Sequence, residues 1–274
     1  MSVRIACCQI APDVEDPAAS AAAARLAIAA AVDGGAQIVV LPELVTSGYV
    51  FRSAAEARAA AVPAHGELLE GWSQEASRGD ALVVGGFAEL DADGHVYNSS
   101  ALVDGTGVLA VYRKLHLWNE ESLWFSAGEE PAPVVDTGLG RIGLAVCYDL
   151  EFPELTRGLA LQGAQLLAIP ANWPHEEPRP PILHALAATT AYFNRAFVAV
   201  CDRCGTERGC EFEGGSAIAG PAGTLLAGPV RDRGSETLVA DCDLAGALDK
   251  RTGARNDAFA DRRPEHYAPA LLQH

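Results

Sequence analysis

Apolar residues along the 274-residue chain gather in short runs rich in Val and Ile, and these runs alternate with Ala-rich stretches of helical period. Val3–Ile10 reads as a strand, Ala18–Asp33 as a helix stopped by Gly34-Gly35, and Gln37–Leu41 as the next strand. The alternation returns with Ile142–Cys147 as strand, Pro153–Gln162 as helix, Leu166–Ile169 as strand, Ile182–Asn194 as helix and Phe197–Cys201 as strand. Between these blocks, Ala81–Leu90, Val96–Val103 and Val108–Tyr112 read as strands. They are separated by Asp91-Ala92-Asp93-Gly94 and Asp104-Gly105-Thr106-Gly107, both of which carry hairpin-turn chemistry. Gly220-Pro221-Ala222-Gly223-Thr224 marks a further hairpin.

Strand–helix alternation mixed with hairpins predicts an α/β fold of mixed sheets with helices on their outer faces. No low-complexity linker, charge block or repeat of fixed period breaks the pattern, so residues 1–274 are expected to form a single domain. Catalytic groups in such folds favour the carboxyl ends of strands. Glu43, Lys114 and Cys147 each follow an apolar run at such an end.

Composition narrows the function classes. Nearly half the residues are apolar and a fifth are charged, as in a globular protein with a sizeable core. No apolar run reaches the roughly 20 residues of a membrane helix. The opening MSVRIACCQIAP lacks the tripartite pattern of a signal peptide, so a cytoplasmic location is expected. The formal charge of −16 argues against nucleic acid and anionic membranes as partners. Only two of the 20 basic residues are lysines, Lys114 and Lys250. A lysine retained beside Arg113 suggests a site that needs a compact ammonium rather than a guanidinium. The seven cysteines suggest no disulfide framework in a chain of this size. Cys201, Cys204 and Cys210 form a C-x2-C-x5-C run. No second pair or nearby His completes four ligands, so they read as core or loop residues and no metal is expected.

Each candidate has a bland reading beside the chemical one. Cys147 stands where an apolar strand gives way to a helix near Glu151, an elbow whose backbone N–H groups and helix dipole favour a thiolate and an oxyanion. It could equally be a small buried hydrophobe ending its strand. Glu43, directly after an apolar strand, would be desolvated and its pKa raised toward the range useful for proton transfer; otherwise it is a loop or helix-entry charge. Lys114 is an oxyanion partner or an exposed strand-end cation. His116 is a partner for the thiol or a structural histidine, and position alone does not choose.

Three segments, LPE at 41–43, YRKLHL at 112–117 and GLAVCYDLEFPEL at 143–155, resemble in order and spacing the signature regions of the nitrilase (carbon–nitrogen hydrolase) superfamily. The resemblance extends to ACCQIAP, YNSSALVDGTG, DRCGTERG at 202–209 and RNDAFADRRPEHY at 255–267. It implies a four-layer α-β-β-α sandwich of two mixed β-sheets flanked by helices. It also implies a catalytic Glu43–Lys114–Cys147 triad working without metal or organic cofactor. A second active-site glutamate falls on Glu121, because E-x3-F-x2-G aligns with Glu121, Phe125 and Gly128; Glu120 is its immediate neighbour. Tyr148, Glu151, Asn172 and Trp173 are the expected oxyanion and substrate-binding residues.

Within the superfamily, CYDLEFPE resembles amidase and carbamoylase branches, whereas true nitrilases usually carry Trp-Glu after the cysteine. A small-molecule amide is therefore the expected substrate, with an N-carbamoyl amine second and a nitrile third. Members acting on dicarboxylic monoamides typically read CYDLRFPE. Glu151 reverses that charge, which favours a neutral or amine-bearing substrate unless Arg179 or Arg195 supplies acid recognition. A serine amidase finds only the short GGSAI at 214–218, and a silent binding protein would not need all three triad types. A homo-oligomer, at least a dimer, is expected, with Ala254–Tyr267 bracing the contact.

Overall fold

A computed structural model of the protein describes residues 2–175, 182–230 and 234–271. The first six-stranded sheet runs, edge to edge, Glu236–Cys242, Val3–Gln9, Ile38–Val40, Leu82–Leu90, Val96–Asp104 and Gly107–Arg113. The second runs Leu225–Ala227, Ala217–Ala219, Phe197–Asp202, Leu166–Ala171, Gly140–Leu144 and Val134–Thr137. Both sheets are mixed. Val3–Gln9 pairs parallel with Ile38–Val40 and antiparallel with Glu236–Cys242; Leu166–Ala171 is parallel to both its neighbours.

The layering follows from side-chain alternation along strands. In Val3–Gln9, residues Val3, Ile5 and Cys7 face the inter-sheet core, with Leu144, Leu167 and Val198 in the same cluster. Ala6 and Cys8 belong instead to a cluster with Ile28 of helix Pro17–Asp33 and Trp72 of helix Glu67–Ser77. Helices Pro153–Leu161 and Leu183–Asn194 cover the second sheet through Leu159, Leu183 and Ala187. The result is the expected α-β-β-α sandwich. Strands buried on both faces read as continuous apolar runs, which is why they are visible in the sequence.

Lys250, the second retained lysine, closes a helix end. Its Nζ donates to the carbonyls of Asn194 (3.2 Å) and Arg195 (2.9 Å), satisfying the last turn of Leu183–Asn194. Phe259, in the C-terminal stretch, lies against Arg157 and Lys250 of its own chain, at 5.0 and 4.8 Å.

One boundary differs from expectation. The strand expected over Ile142–Cys147 spans Gly140–Leu144; the α-helix begins at Pro153, as the expected Pro153–Gln162 has it, so the strand does not give way directly to a helix near Glu151. A 3-10 turn, Cys147–Glu151, fills the gap. The Asp149 carboxylate accepts the Val146 N–H (3.0 Å), which turns the chain out of the sheet and leaves Cys147 at φ 47°, a left-handed conformation uncommon for a side-chain-bearing residue.

Candidate active site

Glu43, Lys114 and Cys147 follow strands of both sheets and meet in the interior between them. Glu43 and Lys114 are fully buried and Cys147 is 5% exposed. Lys114 Nζ donates to Glu43 Oε1 at 2.7 Å and to Glu121 Oε1 at 2.8 Å. Asn98 Nδ2 donates to Glu43 Oε1 at 2.6 Å and reaches Glu121 Oε2 at 3.5 Å. Glu43 Oε2, by contrast, has no hydrogen-bond partner among the described residues. Glu121, not the exposed Glu120, is the glutamate brought to Lys114.

Electrostatics follow from two carboxylates and one ammonium sharing a buried space. Burial lifts the Glu43 carboxyl to about 7; Lys114 opposes the shift and the charge of Glu121 adds to it. Burial also works against the Lys114 charge, but Glu121 and Glu43 together outweigh it and hold its pKa well above the usual lysine range. Burial, then the charge of Glu43, pushes the Cys147 thiol well up, and the Lys114 charge and, less, the Asn172 N–H hydrogen bond only partly offset this. The resting thiol is therefore neutral at pH 7 and needs a base, and Glu43 has a raised pKa and an unbonded oxygen.

Backbone packing fixes Glu43. A Cβ added at Gly86 would lie 2.5 Å from both Glu43 Cα and Leu44 N, so this strand position admits only glycine. Gly86→Ala is expected to displace Glu43 and lower kcat/KM about 100-fold while the circular dichroism spectrum stays that of the parent. A Gly86→Ala protein with parental kcat/KM would contradict this tight placement.

Cys147 opens onto a narrow slot lined by Tyr49, Trp118, Tyr148, Glu151, Asn172 and Trp173. Its free space is about 20 Å³, close to what one water molecule needs. The slot adjoins an outer cavity of about 520 Å³ and shares with it Tyr49, Trp118 and Pro174. All four expected oxyanion and substrate residues thus line the slot. Tyr148 and Glu151 lie on the 3-10 turn, and Glu151 is exposed at the mouth. Asn172 is fully buried and Trp173 nearly so, and among the described residues neither the Asn172 side-chain amide atoms nor Trp173 Nε1 find a hydrogen-bond partner. Arg195 lines neither cavity; it ends helix Leu183–Asn194. Arg179 lies outside the described residues.

His116 belongs to the scaffold. Its Nδ1 meets Asp149 Oδ1 at 2.7 Å and its ring stacks on Phe152 at 3.5 Å. Asp149 also accepts the Tyr112 hydroxyl at 2.7 Å, so one buried carboxylate joins the Lys114 segment to the Cys147 turn. Among the described residues, no group of three or more His, Cys, Asp or Glu side chains could hold a metal ion, and no helix is long and apolar enough to cross a membrane.

Sequence reasoning missed Tyr49, Asn98 and Asp202. Tyr49 donates its hydroxyl to Glu121 Oε1 at 2.6 Å, its own pKa held well above normal by burial and then by Glu121. Asp202 accepts the N–H groups of Trp173 (2.8 Å) and Gly215 (3.0 Å), fixing the slot wall. Asn98 lies inside the quoted YNSSALVDGTG segment, where a polar Asn-Ser-Ser run leading into apolar Ala-Leu-Val on one strand is the available signal. Tyr49 sits in a loop with no pattern to mark it.

A family model described as carbon-nitrogen hydrolase matches residues 4–251. A protein named nitrilase from Pyrococcus abyssi is 36% identical over 269 residues, covering 97% of this chain and 99% of that one. An (R)-stereoselective amidase from a Pseudomonas species is 35% identical over 233 residues, 84% of this chain and 81% of that one. An amidase from a Nesterenkonia species superposes with a TM-score of 0.81 at 30% identity, covering 98% of this chain and 96% of that one. Two strand-end segments, a strained elbow and a matching family model over nearly the whole length lead to one assignment. The chain belongs to the carbon–nitrogen hydrolase family of the nitrilase superfamily, enzymes that act on carbon–nitrogen bonds.

Proposed function

We propose that the protein is a cofactor-independent thiol amidase, acting as one domain over residues 1–274, that splits a small-molecule amide into a carboxylic acid and ammonia. Glu43 Oε2 takes the Cys147 thiol proton as sulfur attacks the carbonyl carbon. The Lys114 ammonium and the Tyr148 N–H stabilise the oxyanion, each donor contributing a few kcal/mol. Glu121 holds the ammonium in place from its other side. As the C–N bond breaks, Glu43 gives its proton to the leaving nitrogen and ammonia departs. Glu43 then takes a proton from water, which attacks the thioester, releasing the acid and restoring the thiol. Asn172 and Trp173 are the polar groups available to the substrate amide in the slot.

The observation that carries this reading is the buried Glu43–Lys114–Glu121 cluster beside Cys147, with one Glu43 oxygen left unbonded. Ammonia release measured across simple amides, N-carbamoyl amines and nitriles tests it. Amides should be turned over fastest; turnover of nitriles alone would sink the amidase assignment.

Exposed Glu151 at the slot mouth and the net charge of −16 support a neutral or amine-bearing substrate. At low ionic strength, kcat/KM for 5-aminopentanamide should exceed that for succinamate by about tenfold or more. A preference for succinamate would mean that another basic residue recognises the acid.

We also infer a homo-oligomer, at least a dimer. Tyr192 and Phe193 on helix Leu183–Asn194 and Leu161 at the end of Pro153–Leu161 are 50%, 58% and 43% exposed, an apolar surface close to the segment after the nucleophile. Ala254–Tyr267 would brace this contact. Light scattering should return at least the dimer mass, and a monomer at working concentration refutes the inference.

A further inference from the structure

A buried ion pair outside the slot fixes one of its walls. Glu207 and Arg203 are 4% and 1% exposed, although they belong to the strongly polar segment DRCGTERG. Glu207 stands on a tight hairpin, Thr206–Glu207 paired with Cys210–Glu211, whose two turn residues Arg208 and Gly209 have positive φ. Its Oε1 accepts the Val14 N–H (3.0 Å) and lies 3.1 Å from Arg203 Nη1. Its Oε2 accepts two consecutive N–H groups, Tyr49 (2.8 Å) and Val50 (2.6 Å). A carboxylate buried among three backbone donors and beside a guanidinium is well matched, and removing it would leave those N–H groups without an acceptor and Arg203 without its countercharge.

The same hairpin grips the Tyr49–Val50 segment from its other side, because Arg208 Nη1 donates to the Val50 carbonyl at 2.8 Å. The Tyr49 ring is held as well. Arg203 lies 4.1 Å over the Phe212 ring, and Phe212 meets the Tyr49 ring edge-on at 6.0 Å. Gly48 leaves no slack: at φ 73°, a Cβ there would fall 2.5 Å from the Val14 backbone and 2.6 Å from Glu207 Oε1. Backbone and ring of Tyr49 are both pinned, and its hydroxyl meets Glu121 Oε1 at 2.6 Å, the same oxygen that receives Lys114 Nζ.

We propose that Glu207, clamped by Arg203, is a positioning residue for the amidase reaction: it sets Tyr49 so that the tyrosine hydroxyl orients Glu121 against Lys114. The inference rests on the amidase reading above. Glu207 touches neither the slot nor the reacting atoms, so its effect must pass through Tyr49.

A double-mutant cycle on the full chain tests this, with butyramide as substrate and kcat and KM measured separately. Glu207→Gln should lower kcat about tenfold or more with KM changed less than about threefold, since a misplaced Glu121 weakens Lys114 as an oxyanion partner. In the Tyr49→Phe background the same substitution should change kcat by less than about twofold, because the link it acts through is already cut. Glu207→Asp keeps the charge but retracts it by one methylene. Run in both backgrounds, it should show the same loss of effect, so a Glu207→Gln chain that fails to fold does not end the test. Equal losses of kcat with and without the Tyr49 hydroxyl would overturn the proposal and leave Glu207 a purely structural anchor. A parent chain that does not hydrolyse butyramide or any other amide would overturn the amidase reading, and this proposal with it.

Discussion

Cys147→Ala is expected to lower kcat by at least about 10⁴-fold while leaving the protein folded. Sulfur supplies the bond-forming electron pair, and nothing in the slot can replace it, because Glu43 is committed to proton transfer and the Lys114 ammonium to charge stabilisation. The fold should tolerate the change: only the sulfur is removed, from a core position where the side chain already borders the free space of the slot. Stability should shift by about 1 kcal/mol or less, readable as a nearly unchanged melting temperature. Alkylation adds a second readout. Five of the six remaining thiols are buried and only Cys210 is partly exposed, and burial lifts Cys8 and Cys242 to about 12. Iodoacetamide should therefore modify Cys147, reached through the slot and served by a base, ahead of the other six. A Cys147→Ala chain that turns over amides near the parental rate would refute the covalent mechanism.

Lys114→Arg should be almost as damaging as Lys114→Met, each lowering kcat about 10³-fold. The ammonium occupies a fully buried position with two carboxylate oxygens at 2.7 and 2.8 Å, and a planar, longer guanidinium cannot take up that geometry without moving Glu43 or Glu121. Lys114→Met leaves the two carboxylates facing each other without a cation, so one of them must hold a proton. The Glu43 pKa then rises further, and the remaining activity should need a higher pH than the parent. The sign follows from the role: the carboxylate form is the active base, and less of it exists at any pH below the raised pKa. An Arg variant that keeps most of its kcat would show that Lys114 does not work as a compact oxyanion partner.

The parts of the fold legible in the sequence are those where local pattern and tertiary burial agree. Val3–Gln9, Leu82–Leu90 and Phe197–Asp202 are apolar on both faces because each is covered on both faces, and their runs stand out. Glu43, Lys114 and Cys147 could be picked as candidates because each follows such a run. Helix Glu67–Ser77 escaped notice because Gly71 and six polar or acidic residues dilute its period, and Trp72 carries much of its buried face. Strand Glu236–Cys242 carried a usable signal in the alternation of Leu238, Ala240 and Cys242. The positive φ of Cys147 could not be read from Val-Cys-Tyr, since it arises from the Asp149 carboxylate turning back on the Val146 N–H.

The site shows the same division. Its charged centre lies at strand ends, but the groups that orient it come from loops whose polar residues look like surface. Glu207 in Thr-Glu-Arg-Gly reads as a solvated turn, and only the meeting of segments around positions 14, 49 and 203 buries it. Asn98 reaches both carboxylates because its strand crosses directly beneath them, a register set by pairing with Leu82–Leu90. Long-range convergence of this kind leaves no local trace in a sequence.

The central claim is that the acyl group of the substrate passes through Cys147. The most direct measurement is mass spectrometry of the enzyme mixed with a saturating simple amide, quenched in acid from the first turnover to the steady state, and mapped by peptide. The account predicts an acyl mass on the Cys147 peptide that appears before free acid accumulates and is absent from Cys147→Ala. Acid forming while that peptide stays unmodified at every time, or an acyl group mapped to another residue, would contradict it.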